Sequence, residues 1–218
     1  MLFRSVASYK CKNDETHTDA VTVTVTSETT PATTEAEGKI VYTATVTAKE
    51  SLDGEEHTET KEVTLPMIGH FIHVTDYTKG GATTSLVEGQ RYDGEVDFTV
   101  SADLACSVGI LNKDGSVTRV ECVDKDGEHH FKVTVTDEDL DLVLVYKGDA
   151  DLNAKIELKD STRIKRTMVQ LMEMTEVEQF AADADSDGSM LSKDATLIAQ
   201  YMVETAEILW TNGSRRIA

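Results

Sequence analysis

The sequence predicts a multidomain chain: all-β, sandwich-like modules followed by a small all-α module of two loop–helix repeats. Three observations carry this. Up to Tyr146, apolar residues alternate with polar ones in runs rich in β-branched side chains. After Lys147 the apolar spacing changes to the 3.6-residue period of a helix. Two acidic twelve-residue runs, beginning at Asp149 and Asp183, introduce the helical stretches.

From Val21 to Leu65 the chain is rich in threonine, valine and glutamate. VTVTVT (Val21–Thr26) sets valines on one face and threonines on the other. KIVYTATVTA (Lys39–Ala48) repeats the pattern with Ile40, Tyr42, Ala44 and Val46, and KEVTLP (Lys61–Pro66) closes a third strand. Such alternation marks half-buried strands, and Asp53-Gly54 marks a turn. Residues 1–66 are expected to form one small β module and residues 67–147 another. The second has strand candidates FIHVTDYT, GEVDFTVSA, CSVGIL, VTRVECV, HFKVTV and LVLVY. Gly80-Gly81, Asp93-Gly94, Asp114-Gly115 and Asp126-Gly127 punctuate them. The close spacing predicts an antiparallel sandwich with Val96, Phe98 and Val100 facing its core.

Residues 148–210 are assigned to the helical module and 211–218 to a disordered tail or cloning remnant. Ile164, Met168, Leu171 and Met172 make one apolar stripe. Ala195, Ile198, Ala199 and Met202 make another. Met168, Leu171, Met172 and Phe180 are read as core. Between the stripes, Thr175 to Glu178 carries a capping-box pattern that opens a short helix through Phe180. Trp210 is placed at the far end of the last helix.

The net charge of −19 argues against nucleic acid as the main partner and suits a protein that binds cations. No apolar run approaches the roughly 20 residues of a membrane helix. MLFRSVASYK lacks the apolar core of a signal peptide, so a secreted protein would be present here as a processed form or fragment. Cys11, Cys106 and Cys122 give no zinc spacing and no CxxC motif. Cys106 and Cys122 flank a Lys113-Asp114-Gly115 turn. A disulfide there needs Cβ atoms about 3.5–4.5 Å apart; two packed thiols are the preferred alternative.

The two acidic runs share one spacing. Counting from Asp149 as position 1, Asp151 is 3, Asn153 is 5, Lys155 is 7, Glu157 is 9 and Asp160 is 12. Counting from Asp183, Asp185 is 3, Asp187 is 5, Gly188 is 6, Ser189 is 7 and Asp194 is 12. This is the pattern of a calcium loop: side chains 1, 3 and 5 turn inward, residue 7 lends a backbone carbonyl and a carboxylate closes at 12. Two Ca2+ ions are therefore expected. Ala154 stands at position 6, where glycine serves the sharp turn, which would weaken the first site. Leu191 stands at position 9 of the second loop, so Ser189 and solvent must compensate. No good helix is expected before either loop. Ile156 and Met190, at position 8, can form a short β bridge.

The opening GDADLN, the aspartate at position 12, the basic pair Lys165-Arg166 and a second loop one short helix later have a family precedent. Gly148 to about Leu209, roughly the last third of the chain, resembles a dockerin module of the cellulosome type. The resemblance implies calcium-dependent binding to a cohesin, a β-sandwich module on scaffold or cell-surface proteins. It implies contacts from Leu158, Lys159, Lys165 and Arg166 in the first repeat and from Ser192, Lys193, Ala199 and Gln200 in the second. Arg163 extends the basic cluster, for which an acidic or mixed partner face is expected. VDFTVSADLACSVGILNKDGSVTRVE is similar to X modules that brace dockerins. TEAEGKIVYTATVT with TKEVTLP is similar to Ig-like repeats of bacterial surface proteins, in which a cysteine often stands at the place of Thr34. That resemblance leaves Cys11 unpaired.

The resemblances imply a non-catalytic, extracellular or cell-surface adaptor within a polysaccharide-degrading complex. No nucleophile motif, phosphate loop or marked carboxylate pair points to an enzyme. If the chain belongs to a glycoside hydrolase, the catalytic domain lies upstream. Polysaccharide binding by the β modules is the alternative, with Tyr42, Tyr77 and Tyr92 as stacking candidates. His70 and His73 are expected on opposite strand faces, as are His129 and His130, which argues against a two-histidine metal site.

Overall fold

The computed structural model describes residues 5–10, 16 and 18–217. Cys11 lies outside them. The chain divides into two compact units, residues 1–68 and 69–218.

The first unit is a four-stranded antiparallel meander of β1 (Ser5–Lys10), β2 (Thr18–Thr30), β3 (Gly38–Val46) and β4 (His57–Leu65). β2 is long because it serves two neighbours: Thr18 to Val23 pair with β1, and Thr24 to Thr30 with β3. Val23 and Val46 are buried, while β4 is exposed along nearly its whole length.

The second unit begins with β5 (His70–Asp76), β6 (Ala82–Thr84), β7 (Arg91–Tyr92), β8 (Gly94–Ala102) and β9 (Cys106–Leu111). It continues with β10 (Val117–Val120), β11 (Cys122–Lys125), β12 (Glu128–Val135) and β13 (Leu140–Tyr146). Two sheets result, ordered β10-β9-β13-β5-β7 and β11-β12-β8-β6. The run VTRVECV, predicted as one strand, breaks at Glu121: β10 belongs to the first sheet and β11 to the second. The sandwich is not purely antiparallel, because β13 pairs in parallel with β5. Val96, Phe98 and Val100 face the core as the alternation predicts, and Phe98 stacks on Phe131 at 5.9 Å.

The expected division into β modules and a separate all-α module is overturned. The chain is β-rich, with three short helices among the described residues: α1 (Leu158–Met168), α2 (Glu176–Ala182) and α3 (Ser192–Met202). These helices share one compact unit with the sandwich. The cause is β13. Leu142 and Leu144 point into the sandwich core, while Val143 and Val145, fully buried on the other face, pack with Phe180 and Ala181 of α2. A strand covered on both faces needs a second layer, and α2 supplies it. Gly109 on β9 leaves the space: a Cβ there would lie 2.9 Å from the Phe180 ring. Ala105, from the turn before β9, joins the apolar cluster of Ile164 and Ile198. Backbone bonds cross the same seam, from Lys147 N to Ala105 O (2.9 Å) and from Gly148 N to Ala181 O (2.7 Å).

Other local expectations also change. α3 ends at Met202, so Trp210 lies beyond it, in the connection between β14 (Ala206–Ile208) and β15 (Ser214–Arg216). Part of the expected tail is thus strand. Met168 and Leu171 are exposed, at 44% and 70%, and Met172 is half-buried; only Phe180 of that group is core. The buried face of α1 is instead made by Asp160, Ser161 and Ile164. α2 also runs directly into the second acidic loop, which therefore has an entering helix.

Lys147 is almost wholly buried at the end of β13 and donates from Nζ to the carbonyls of Leu209 (2.8 Å), Trp210 (2.6 Å) and Thr211 (3.2 Å). Burial, with Arg119 nearby, lowers its pKa to about 8. Replacing it as Lys147→Met leaves three carbonyls without their charged donor. Urea unfolding is expected to show a loss of about 2–3 kcal/mol.

Candidate metal centre

The two acidic loops adopt the same backbone path, 34 residues apart. Leu152 and Ser186, at position 4, have φ of 56° and 58°. Ala154 and Gly188, at position 6, have φ of 69° and 92°. Asp149 accepts from Asn153 N (3.1 Å) and Ala154 N (2.7 Å), and Asp183 from Asp187 N (3.2 Å) and Gly188 N (2.9 Å). Ala154 thus takes the left-handed turn that glycine takes in the second copy, at a cost of roughly 1 kcal/mol. The correspondence continues through the helices. Ser161 Oγ donates to Ala195 O at 2.6 Å, joining equivalent positions of α1 and α3. Ile164 and Ile198, also equivalent, are both fully buried. Gln170 and Glu204 both close their helices at φ 57°. No β bridge joins Ile156 to Met190 among the described residues; both belong to the same apolar cluster.

Position 12 does two jobs. One oxygen of Asp160 caps α1 by accepting from Glu157 N (2.7 Å), and one oxygen of Asp194 caps α3 by accepting from Leu191 N (2.8 Å). The other oxygen turns into the loop. Asp149, Asp151 and Asp160 thereby place one carboxylate oxygen each within 4.8 Å of one another, as do Asp183, Asp185 and Asp194.

The first loop carries the sharper signal. Asp151 Oδ1, Asn153 Oδ1 and Asp160 Oδ1 are buried and have no hydrogen-bond partner. Buried oxygens are almost always satisfied, so three orphans in one loop fit a bound group that supplies positive charge. All-oxygen donors suit a hard divalent cation. Burial, with Asp151 and Asp149 beside it, raises the Asp160 pKa to about 6. Burial also raises those of Asp149 and Asp194.

The second loop is partly served by the protein itself. Arg119 on β10 donates to Asp183 Oδ2 (2.9 Å), Ser107 Oγ (2.6 Å) and Ser186 Oγ (3.1 Å), and stacks over Phe180 at 4.4 Å. Asp194 Oδ1 accepts from Ala184 N (3.0 Å) and Asp185 N (3.3 Å), bonds that Asp160 lacks. Lys193 pairs with Asp185 and Asp187, while its equivalent Lys159 pairs with Asp151 (3.1 Å) and Glu157 (2.9 Å). Asp187 and Ser189 lie on the exposed rim; Ser189 N donates to Asp187 Oδ1 (3.1 Å). Lys155 is exposed, and Glu157 is the N-cap of α1.

The residues expected to meet a partner separate. Leu158, Lys165, Arg166, Ser192 and the paired Lys159 and Lys193 are exposed. Ala199 and Gln200 are half-buried. Arg163 turns inward to an ion pair with Glu178, the same residue that completes the capping box with Thr175. Of the tyrosines, Tyr92 packs on the sandwich core and its hydroxyl accepts from Val87 N (2.8 Å). Tyr77 packs beside Val143 and Phe180. Tyr42 is half-buried on the face of the first sheet. Arg119 escaped sequence reasoning, since one arginine in a strand carries no local signal. LVLVY was legible as a strand, but its burial on both faces was not.

The chain matches no family model, no curated protein and no solved structure.

Two outcomes are expected. Arg119→Met leaves the buried Asp183 carboxylate without its cation, and urea unfolding of the chelated protein should lose about 3–5 kcal/mol. In chelated protein the raised pKa of Asp160 means that the folded state binds the proton more tightly. Its contribution is full below pH 4 and is lost as pH rises through about 6. Melting temperature against pH should therefore fall over that window, less so in Asp160→Asn.

Proposed function

We propose that the chain is a non-catalytic adaptor that binds two calcium ions and docks on a cohesin-type β-sandwich partner, outside the cell or on its surface. One observation carries the reading: positions 3, 5 and 12 of one loop each hold a buried, unpartnered oxygen, and the carboxylates of positions 1, 3 and 12 gather within 4.8 Å of one another. Calcium would be held by Asp149, Asp151, Asn153, Asp160 and the Lys155 carbonyl in the first loop. In the second, Asp183, Asp185, Asp187, Asp194 and Ser189 would hold it. Bound calcium supplies the positive charge that turns carboxylate repulsion into attraction and fixes the start of each helix.

The exposed surface supports a protein partner. Leu158, Met168, Val169 and Leu171 are exposed on or just after α1, beside the exposed cations Lys165 and Arg166. Met202 and Val203 are exposed at the equivalent end of α3. Apolar residues mixed with basic heads suit a face that is apolar at its centre and acidic at its rim. The dockerin resemblance names the partner class, and a polysaccharide-degrading assembly is the setting it implies.

Calcium titration against melting temperature tests the ion. At a thousandfold excess over the dissociation constant the stabilisation should reach about 4 kcal/mol, and a chelator should reverse it. A panel of cohesins, probed in calcium, tests the partner. The double change Lys165→Ala/Arg166→Ala should weaken binding about tenfold or more. No thermal shift with calcium would overturn the ion, and no cohesin binding in calcium would overturn the partner.

A further inference from the structure

We propose that Cys122, Asp124 and His129 form a second kind of metal site, one for a borderline-soft divalent cation of the zinc class. The two oxygen-lined loops play no part in it, so it stands whether or not they bind calcium. Strand geometry builds it. Cys122 and Asp124 are two residues apart on β11 and therefore share a face. The register sets Asp124 opposite His129 and Cys122 opposite Phe131. Phe131 is buried in the core, so this face looks inward at Cys122 and reaches the edge of the sheet at Asp124.

The donors are already gathered. One ligand atom of each residue lies within 4.8 Å of the other two. His129 Nδ1 is 2.7 Å from Asp124 Oδ1, and Cys122 Sγ is 3.9 Å from the same oxygen. A tetrahedral zinc ion, with sulfur at about 2.3 Å and nitrogen or oxygen at about 2.0–2.2 Å, wants its donors roughly 3.3–3.6 Å apart. To reach that range the His129–Asp124 separation opens by about 0.6 Å and the Cys122–Asp124 separation closes by about 0.3 Å. Sulfur, imidazole and carboxylate together form a softer set than the all-oxygen loops and select a different ion.

The surroundings hold the ring still. Trp210 stacks on His129 with centroids 3.8 Å apart and planes 9° from parallel. The Trp210 segment is fixed in turn by Lys147 Nζ and by Asn212 Nδ2, which donates to Glu121 (3.1 Å). A cavity of about 390 Å³ lined by Asp103, Asp124, Glu207 and Trp210 opens beside the site and leaves room for a fourth, solvent ligand. Without metal, burial pushes the Cys122 thiol up to about 12. On binding, the thiol proton leaves to solvent and the thiolate becomes a ligand. A neutral imidazole donates from one nitrogen and keeps its proton on the other.

The test uses the full chain, reduced and saturated with calcium, titrated with Co2+ as a visible stand-in for zinc. A thiolate-to-cobalt band in the near ultraviolet is expected, with quenching of Trp210, the only tryptophan. Zinc should displace both signals. Cys122→Ser should abolish the band, while Cys106→Ser and Cys11→Ser keep it. Asp124→Asn, at an exposed position, should weaken cobalt binding about tenfold or more, with far-UV circular dichroism confirming that the variant is folded. Absence of a thiolate band in the reduced wild type would overturn the proposal. So would a band that survives Cys122→Ser, or full cobalt affinity in Asp124→Asn.

Discussion

The second unit depends on the burial of β13 from both sides. Its Leu142 and Leu144 complete the sandwich core, and its Val143 and Val145 require the cover of α2. Two-sided burial removes both faces of one strand from water, and each large aliphatic side chain contributes roughly 1.5–3 kcal/mol. The same strand ends in Lys147, which gathers three carbonyls of the C-terminal segment. It then passes through Gly148 straight into the first acidic loop. Sandwich, helices and final hairpin are therefore parts of one packing problem.

That arrangement gives the two loops different electrostatic settings on the same backbone. The second sits against the sandwich, where Arg119 neutralises Asp183 and backbone amides occupy Asp194 Oδ1. The first receives no hydrogen bond from that arginine and keeps its orphaned oxygens. The internal duplication is visible in equivalent φ angles and in the Ser161–Ala195 bond. Its asymmetry comes from what each copy packs against. Ala154, which looked like the defect of the first loop, adopts the required turn at a modest local cost. The built-in cation of the second loop is the larger difference.

The candidate ligand sets also separate by softness. Oxygen-only loops suit hard cations, and the sulfur, nitrogen and oxygen set on β11 and β12 suits a zinc-class ion. The former lie in contiguous runs with a recognisable spacing. The latter come from a cross-strand pair, Asp124 and His129, with Cys122 two residues along β11, which spacing along the chain does not display.

The sequence by itself determined the β-strands with strict alternation, such as β8, and the shared spacing of the two acidic loops. It also determined the capping box at Thr175. Each of these rests on contacts within a few residues. It did not determine that VTRVECV would divide between two sheets at Glu121, that β5 would pair in parallel with β13, or that Met168 and Leu171 would face out. It did not place Arg119 on Asp183 or Trp210 on His129. Those outcomes join residues tens of positions apart, and the space left by other elements decides them. Gly109 shows the limit well. Nothing in the strand candidate CSVGIL marks it, and only the folded chain reveals it as the gap that lets Phe180 seal β13.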